Sequence, residues 1–248
     1  MTTPKTEVRL AAVADLHFTK TAQGSWHALF QQIGEAADVL LLCGDLTNLG
    51  LLEEAQALVK ELSVLKIPIV AVLGNHDYES GLQKDVQQIL SAANVQVLDG
   101  EACEVHGIGF AGAKGFCGGF GKHVLAPWGE ETVKRFVREA LDETLKLESA
   151  LARLRTEKKI VLLHYAPIQE TVEGEPLEIY PFLGCSRLEE PLNRFPVTAI
   201  FHGHAHHGRP LGRTKTNIPV YNVAVQVLRD AFPDRPPFHL ERIALQPA

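Results

Sequence analysis

The chain has 248 residues, enough for one large domain with a substantial buried core. Hydrophobic residues make up 46% of it and charged residues 22%, a balance that excludes a disordered or fibrous protein. The formal net charge of −6 disfavours a broad basic surface for nucleic acid or an anionic membrane. No repeat, low-complexity tract or linker interrupts the sequence, so we predict a single α/β domain over residues 1–248.

The sequence carries no recognisable targeting or membrane segment. Its N-terminus has no apolar stretch behind a basic start, and apolar runs such as Ile67–Leu73 are far shorter than the ~20 residues that span a bilayer. Four cysteines lie far apart without a CxxC pair: Cys43, Cys103, Cys117 and Cys185. A bridge between two of them stays open, but such spacing is typical of reduced thiols. We therefore expect a cytoplasmic protein without membrane contacts.

The first part of the chain alternates short apolar runs with helical periodicity. Buried strands are predicted at Val8–Ala14, Val39–Cys43 and Ile67–Leu73. Apolar stripes at helical spacing predict helices near Ser25–Ala36, Leu51–Leu65 and Leu82–Ala92. Strand–helix–strand repetition of this kind is typical of parallel pairing in an α/β sheet.

After Val95 the pattern changes to short strands joined by turns. They are predicted at Val95–Leu98, Cys103–Val105 and Ile108–Ala111, and four later ones at Ile160–Leu163, Val197–Phe201, Val220–Val225 and His239–Leu245. Between the two sets lie a glycine-rich loop, Gly112–Gly129, and the longest predicted helix, roughly Glu130–Arg155. The loop is a candidate substrate lid, and a plain surface excursion is an equally good interpretation.

Polar side chains directly follow five of the predicted strands. The segments are Asp15-Leu16-His17, Gly44-Asp45, Gly74-Asn75-His76-Asp77, His164 and the run His202–His206. Ligands of open α/β sheets bind outside the carboxyl ends of the strands, so we expect these side chains to converge. Taken singly, each motif is weak, because Gly-Asp and Gly-Asn are also turn signals and a lone histidine is often structural. Their joint occurrence after buried strands indicates a functional site.

Seven of these side chains are candidate metal ligands: Asp15, His17, Asp45, Asn75, His164, His204 and His206. Imidazoles, carboxylates and one amide oxygen, without thiolates, suit divalent Mn, Fe, Zn, Co or Ni. Seven ligands exceed the need of one ion. Two ions roughly 3.5–4 Å apart can share them if one carboxylate bridges, so we predict a centre of two divalent metal ions.

In the order D-x-H, G-D, G-N-H-D, a lone H and G-H-x-H, the motifs resemble the calcineurin-like metallophosphoesterase superfamily. The resemblance implies a four-layer α-β-β-α sandwich with two mixed β-sheets face to face. It also implies the ligand assignment: Asp15, His17 and His206 for the first metal, Asn75, His164 and His204 for the second, and Asp45 as the bridge. The histidine next to the last ligands, His202, is expected to point away from the metals into the sheet.

The resemblance further implies a phosphoesterase reaction. A metal-bound hydroxide attacks phosphorus in line, and His76 resembles the residue that stabilises or protonates the leaving oxygen. We expect a small phosphate ester as substrate, with nucleotides among the candidates. Similarity to compact prokaryotic members favours phosphodiesters over monoesters, and no single residue carries that preference.

One departure from the family pattern concerns the Ser/Thr protein phosphatase branch. There the G-D block continues to an Asp that pairs with the catalytic histidine and an Arg that holds phosphate. Here Asn48 and Leu49 occupy those places. We therefore expect a neutral partner for His76 and not a protein phosphatase.

Two other functions stay open. A catalytically weak interaction scaffold of the same fold is disfavoured, because scaffolds of this kind lose ligands and none is missing here. A nuclease of the same superfamily is disfavoured by the acidic net charge and the lack of a basic stripe.

Overall fold

The computed structural model describes residues 6–22 and 24–245, and within them eleven strands form two mixed sheets. The strands are β1 Glu7–Val13, β2 Val39–Cys43, β3 Ile69–Val72, β4 Val95–Val97, β5 Ala102–Val105, β6 Ile108–Gly112, β7 Lys158–Leu162, β8 Ala199–His202, β9 Leu211–Arg213, β10 Pro219–Asn222 and β11 His239–Ala244. The helices are α1 His27–Ala36, α2 Leu52–Leu62, α3 Gln83–Ala92, α4 Glu131–Arg153, α5 Tyr180–Leu183, α6 Glu189–Arg194 and α7 Val225–Ala231.

The first sheet has the order β11-β1-β2-β3-β4. Strands β1 to β4 run parallel, and β11 pairs antiparallel with β1 at the edge. The strand β2 is buried along its whole length, as its continuous apolar run predicts for a central parallel strand.

The second sheet has the order β5-β6-β7-β8-β10-β9. Its four central strands are parallel, and β5 and β9 are antiparallel edge strands. Both sheets are therefore mixed, as the family resemblance implies.

Three apolar interfaces separate four layers. Successive residues of β1 face opposite sides of the sheet, so Leu10 lies between the two sheets and Ala11 lies under helices α1 to α3. Across the middle interface, Phe110 and Phe201 of the second sheet pack with Leu41 of the first. The outer face of the second sheet is covered by α4 and α6. The α-β-β-α sandwich is thus confirmed.

The chain departs from the predicted elements near its end. The sequence predicts a strand at Val220–Val225, but β10 ends at Asn222 and α7 begins at Val225. Only Val225 of the predicted strand lies in the helix, where it is buried together with Val227, and its N–H donates to the carbonyl of Ala14. The short helices α5 and α6 are also not predicted, because four to six residues with an internal proline show no clear helical period.

All four cysteines are free. Among the described residues, no helix has the length and apolar character needed to cross a membrane.

Candidate metal centre

The carboxyl ends of strands from both sheets meet at one edge of the sandwich. Hydrogen bonds join the segments at these ends. The Ala14 N–H at the end of β1 donates to the Val223 carbonyl beyond β10 at 2.9 Å, and the His164 Nδ1 beyond β7 lies 3.1 Å from the carbonyl oxygen of Cys43 in β2. The two sheets are therefore linked at the point where the polar motifs begin.

Four of the candidate ligands have left-handed backbone conformations. The φ angles are 59° at Asp15, 45° at His17, 49° at Asp45 and 70° at His204. Non-glycine residues rarely adopt positive φ, and a residue held there costs on the order of 1–3 kcal/mol. Such strain collects at functional sites, where the surroundings fix a side chain in a direction that a relaxed chain would not give.

Glycines precede three ligand positions because no side chain fits there. A Cβ at Gly74 would contact the backbone and carboxylate of Asp45, and a Cβ at Gly203 would contact the Asp15 carboxylate. A Cβ at Gly44 would meet the His164 ring. The glycines of the motifs thus allow ligands from different strands to approach one another.

The structure brings all seven predicted ligands together. Three groups of ligand atoms each lie within 4.8 Å of one another, namely Asp15–His17–His206, His17–Asp45–His76 and Asp45–His164–His204. The seventh, Asn75, places its Oδ1 at 2.9 Å from His164 Nε2.

Asp45 connects the groups through its two carboxylate oxygens. Its Oδ1 lies 3.3 Å from His164 Nε2, and its Oδ2 lies 3.8 Å from His17 Nε2. One carboxylate therefore faces both sets of ligands that the resemblance assigns to separate ions.

The electrostatics of the centre call for a cation. The Nε2 of His17 is buried without any hydrogen-bond partner. With only protein groups around it, burial raises the pKa of Asp45 to about 9, and the nearby Asp15 and Asp77 carboxylates add to the effect. Burial lowers the pKa of His17 to about 4, so its imidazole is neutral and free to ligate. The donor set fits borderline divalent metals.

Backbone carbonyls orient two of the imidazoles. The His164 Nδ1 lies 3.1 Å from the carbonyl oxygen of Cys43, which leaves Nε2 directed at Asp45. The His204 Nε2 lies 3.1 Å from the carbonyl oxygen of Phe182, which leaves Nδ1 available. Such outer contacts fix the tautomer of a metal-binding histidine.

His76 stands at the rim of the same centre. Its Nε2 lies 4.0 Å from Asp45 Oδ2, and its backbone N–H donates to Asp45 Oδ1 at 2.8 Å. Its ring is 4.6 Å from that of His17, centre to centre. His76 has the neutral partner expected at position 48. Its Nδ1 lies 2.7 Å from the backbone carbonyl oxygen of Asn48, and the side-chain amide of Asn48 is not the partner.

Asp77 is a structural member of the site that the sequence motifs do not single out. Its fully buried carboxylate accepts hydrogen bonds from the backbone N–H groups of Gly74, Thr47 and Leu46 and from the Thr47 hydroxyl. It therefore ties the loop that carries Asp45 to the loop that carries Asn75. In the sequence, only the position of Asp77 directly after His76 indicates that it belongs to the site. The motif alone does not show whether this carboxylate is structural or a metal ligand.

Two other residues, His202 and Tyr165, lie close by. His202 is fully buried at the end of β8, where its Nε2 contacts the Thr171 hydroxyl at 2.8 Å, so it is turned into the fold. Tyr165 packs its ring 4.4 Å from the His204 ring. The tyrosine thus forms one wall of the centre.

The glycine-rich loop divides into two parts. Residues 113–120 are largely buried and hydrogen-bond to the segment around α5, for example from Gly118 N–H to the Pro181 carbonyl at 2.7 Å. Residues 121–129 are largely exposed, with Trp128 73% accessible. A lid role stays a prediction. Because residues 113–120 are buried, only residues 121–129 are candidates for it.

The sequence model described as calcineurin-like phosphoesterase matches residues 8–208. Among solved structures, the phosphopantetheinyl hydrolase PptH of Mycobacterium tuberculosis superposes with a TM-score of 0.69 at 12% identity, over 95% of this chain and 96% of that chain. The protein TT1561 of Thermus thermophilus superposes with a TM-score of 0.58 at 16% identity, over 96% of this chain and 98% of that chain. A Staphylococcus aureus protein assigned as a 5'-nucleotidase gives 0.54 at 17% identity, over 87% of this chain and 48% of that longer chain. A comparison with curated protein sequences finds no match.

Proposed function

The chain belongs to the calcineurin-like phosphoesterase family, and on that premise we propose that it is a hydrolase of phosphodiesters that uses two divalent metal ions. The observation that carries the proposal is the position of Asp45 between two sets of ligands. Its Oδ1 is next to His164 and its Oδ2 is next to His17, so a shared carboxylate is available where two ions would need one.

The two sets of ligands follow from the groups of neighbouring ligand atoms that lie on either side of Asp45. Asp15, His17 and His206 would hold one ion, His164, His204 and Asn75 the other, with Asp45 common to both. Divalent ions in such a site supply charge neutralisation at the phosphoryl oxygens and an acidified water.

His76 serves the leaving group in this proposal. Its Nδ1 donates to the Asn48 carbonyl, so its Nε2 is the atom turned towards the centre. Its side chain is 39% exposed at the rim, so it can reach an oxygen of the substrate. In the imidazolium form both ring nitrogens carry a proton, so Nε2 would give its proton to the departing alkoxide while Nδ1 keeps its hydrogen bond to Asn48.

The charge around the centre supports diesters over monoesters. A diester carries one negative charge on its phosphoryl group and a monoester carries up to two. In the described part of the chain, no Lys or Arg side chain hydrogen-bonds or ion-pairs with any of the seven candidate ligands, and Leu49 stands where the protein phosphatase branch has an arginine. The neighbour named as a phosphopantetheinyl hydrolase and the one assigned as a 5'-nucleotidase share this fold, and their names agree with a small phosphate ester as substrate. A 5'-nucleotide is a monoester, so the preference for diesters rests on the charge around the centre.

The proposal is tested by metal analysis and paired assays on the purified protein. We expect close to two transition-metal ions per chain after loading with Mn, and faster hydrolysis of bis-p-nitrophenyl phosphate than of p-nitrophenyl phosphate. Metal in a 1:1 ratio would contradict the two-ion centre. Tight metal binding with no ester hydrolysis would favour the scaffold, and cleavage confined to oligonucleotides would favour the nuclease.

A further inference from the structure

A cavity of about 200 Å³ lies beside the proposed metal centre and is not used by it. Its lining includes three lysines and one aspartate, together with two glutamine amides and Tyr78. We name it the lysine pocket, defined by Lys84, Lys114, Lys146, Gln83 and Gln87. None of the seven candidate ligands lines it.

Lys146 is already neutralised. Its ammonium lies 2.8 Å from Asp99 Oδ1 and 2.7 Å from Glu143 Oε1. Lys146 is therefore held between two carboxylates. Burial lowers the pKa of Lys114, and the nearby Glu143 and Glu139 carboxylates act in the opposite sense, while no carboxylate of the described residues ion-pairs with Lys84.

Lys114 is the buried charge of the pocket. Its side chain is only 7% exposed, and its ammonium donates to one oxygen, the Gly115 carbonyl at 2.8 Å. The rings of Tyr78, Phe116 and Tyr165 surround it at 5.0–5.4 Å, and no carboxylate of the described residues lies within salt-bridge distance. Three ammonium protons with one oxygen acceptor leave the group short of partners.

The rest of the lining has the groups that hold an anion. Helix α3 begins at the pocket, with Gln83 and Lys84 as its first two residues and no side chain capping its N-terminus. The positive end of the helix dipole favours negative charge there, and Asp85 in the first turn supplies part of that charge. Gln83 Oε1 is buried without a partner, and turning its amide would present an NH2 donor instead.

The pocket adjoins the metal centre through shared residues. Lys114 is one aromatic ring away from a candidate ligand, because Tyr165 contacts both the Lys114 ammonium and the His204 ring. Tyr78, on the pocket wall, belongs to the same short turn as His76. The pocket therefore lies within one side chain of the metal centre.

We propose that the lysine pocket binds a second phosphate group of the substrate, one that is not hydrolysed. The inference rests on the proposed function and adds the substrate class to it: a phosphodiester that carries another phosphate on one of its alcohols. Lys114 and Lys84 would supply the charge, and Gln83 a further donor.

The test uses two substrates that differ only in the distal phosphate: thymidine 5'-(p-nitrophenyl phosphate) and its 3'-phosphorylated form. With the Mn-loaded full chain, we expect a KM at least about tenfold lower for the 3'-phosphorylated ester, since charge-assisted hydrogen bonds are strong. In Lys114→Met and Lys84→Gln the ratio of the two KM values should fall towards one. Lys134→Gln, which removes an exposed lysine of α4 outside the pocket, should keep the wild-type ratio.

Equal KM values in the wild type, or a ratio that survives Lys114→Met and Lys84→Gln, would overturn the inference while leaving the proposed function intact. A protein that hydrolyses neither ester would contradict the proposed function, and binding then decides the inference alone. Calorimetry should show thymidine 3',5'-bisphosphate binding about tenfold more tightly than thymidine 5'-monophosphate, with the difference lost in Lys114→Met. Equal affinities would refute phosphate binding in the lysine pocket. They would show that Lys114 only packs against the aromatic rings around it.

Discussion

The Nδ1 atom of His76 lies 2.7 Å from the backbone carbonyl oxygen of Asn48. A carbonyl oxygen only accepts hydrogen bonds, so we assign the proton to Nδ1 and the reactive position to Nε2. The contact fixes the ring through the main chain, and any residue at position 48 can provide it.

Asn48→Ala should therefore retain activity within about threefold of wild type, because the carbonyl stays in place. The measurement is kcat/KM for bis-p-nitrophenyl phosphate with Mn-loaded protein. A loss of about a hundredfold or more would show that the Asn48 amide, and not its carbonyl, positions His76.

His76→Ala should keep the bound metal but lose turnover by about 10²–10⁴, the range for removing a general acid. The loss should be smaller for esters with good leaving groups, because a stable alkoxide needs less proton donation. Metal analysis and a series of aryl esters of graded leaving-group pKa check both parts. An equal loss across the series would exclude leaving-group protonation.

Asp77→Asn should destabilise the protein by about 1–3 kcal/mol, because the new NH2 would face N–H donors in a fully buried place. Thermal unfolding is the measurement, and weaker metal binding should accompany it because the loops of Asp45 and Asn75 lose their common anchor. The exposed Asp142→Asn on α4 is the matched control, expected within about 0.5 kcal/mol of wild type. If Asp77→Asn also stays within that margin, the anchoring role is wrong.

The convergence of the site was accessible from sequence because each polar motif directly follows a continuous apolar run, whereas the four-layer sandwich was implied only by the family resemblance. Parallel strands place their carboxyl ends together, so strand order hardly matters to that prediction. The features that the sequence did not predict depend on single contacts. The Asn48 contact uses the backbone, which carries no sequence signal, and Asp77 shares its residue type with true ligands.

The lysine at 114 and the helix α7 were hidden for a different reason. A lysine in a glycine-rich loop is normally exposed, and its burial under three aromatic rings arises only when distant segments fold together. The valines of α7 have β propensity, and tertiary packing against Ala14 overrides it. Both outcomes are set by long-range contacts.

Asp45→Asn should separate stability from function. Burial raises the folded-state pKa of Asp45 to about 9, above the ordinary value near 4 of an unfolded Asp. Between those two pH values the unfolded chain releases a proton that the folded protein retains, so Asp45 destabilises the metal-free fold increasingly as pH rises through this window. The neutral Asn removes that cost. At about pH 7.5 with chelator present, the variant should melt at or above the temperature of the wild type.

With excess Mn the order should reverse. Metal that binds only the folded state stabilises it by an amount that grows with the logarithm of the affinity, and the wild type keeps the shared carboxylate that the variant lacks. The expected result is a large metal-induced rise in melting temperature for the wild type, a small one for Asp45→Asn, and loss of nearly all hydrolysis in the variant. Equal rises in both proteins would show that Asp45 is not a ligand. A variant less stable than the wild type in chelator would show that Asp45 holds the fold through its hydrogen bond from the His76 N–H.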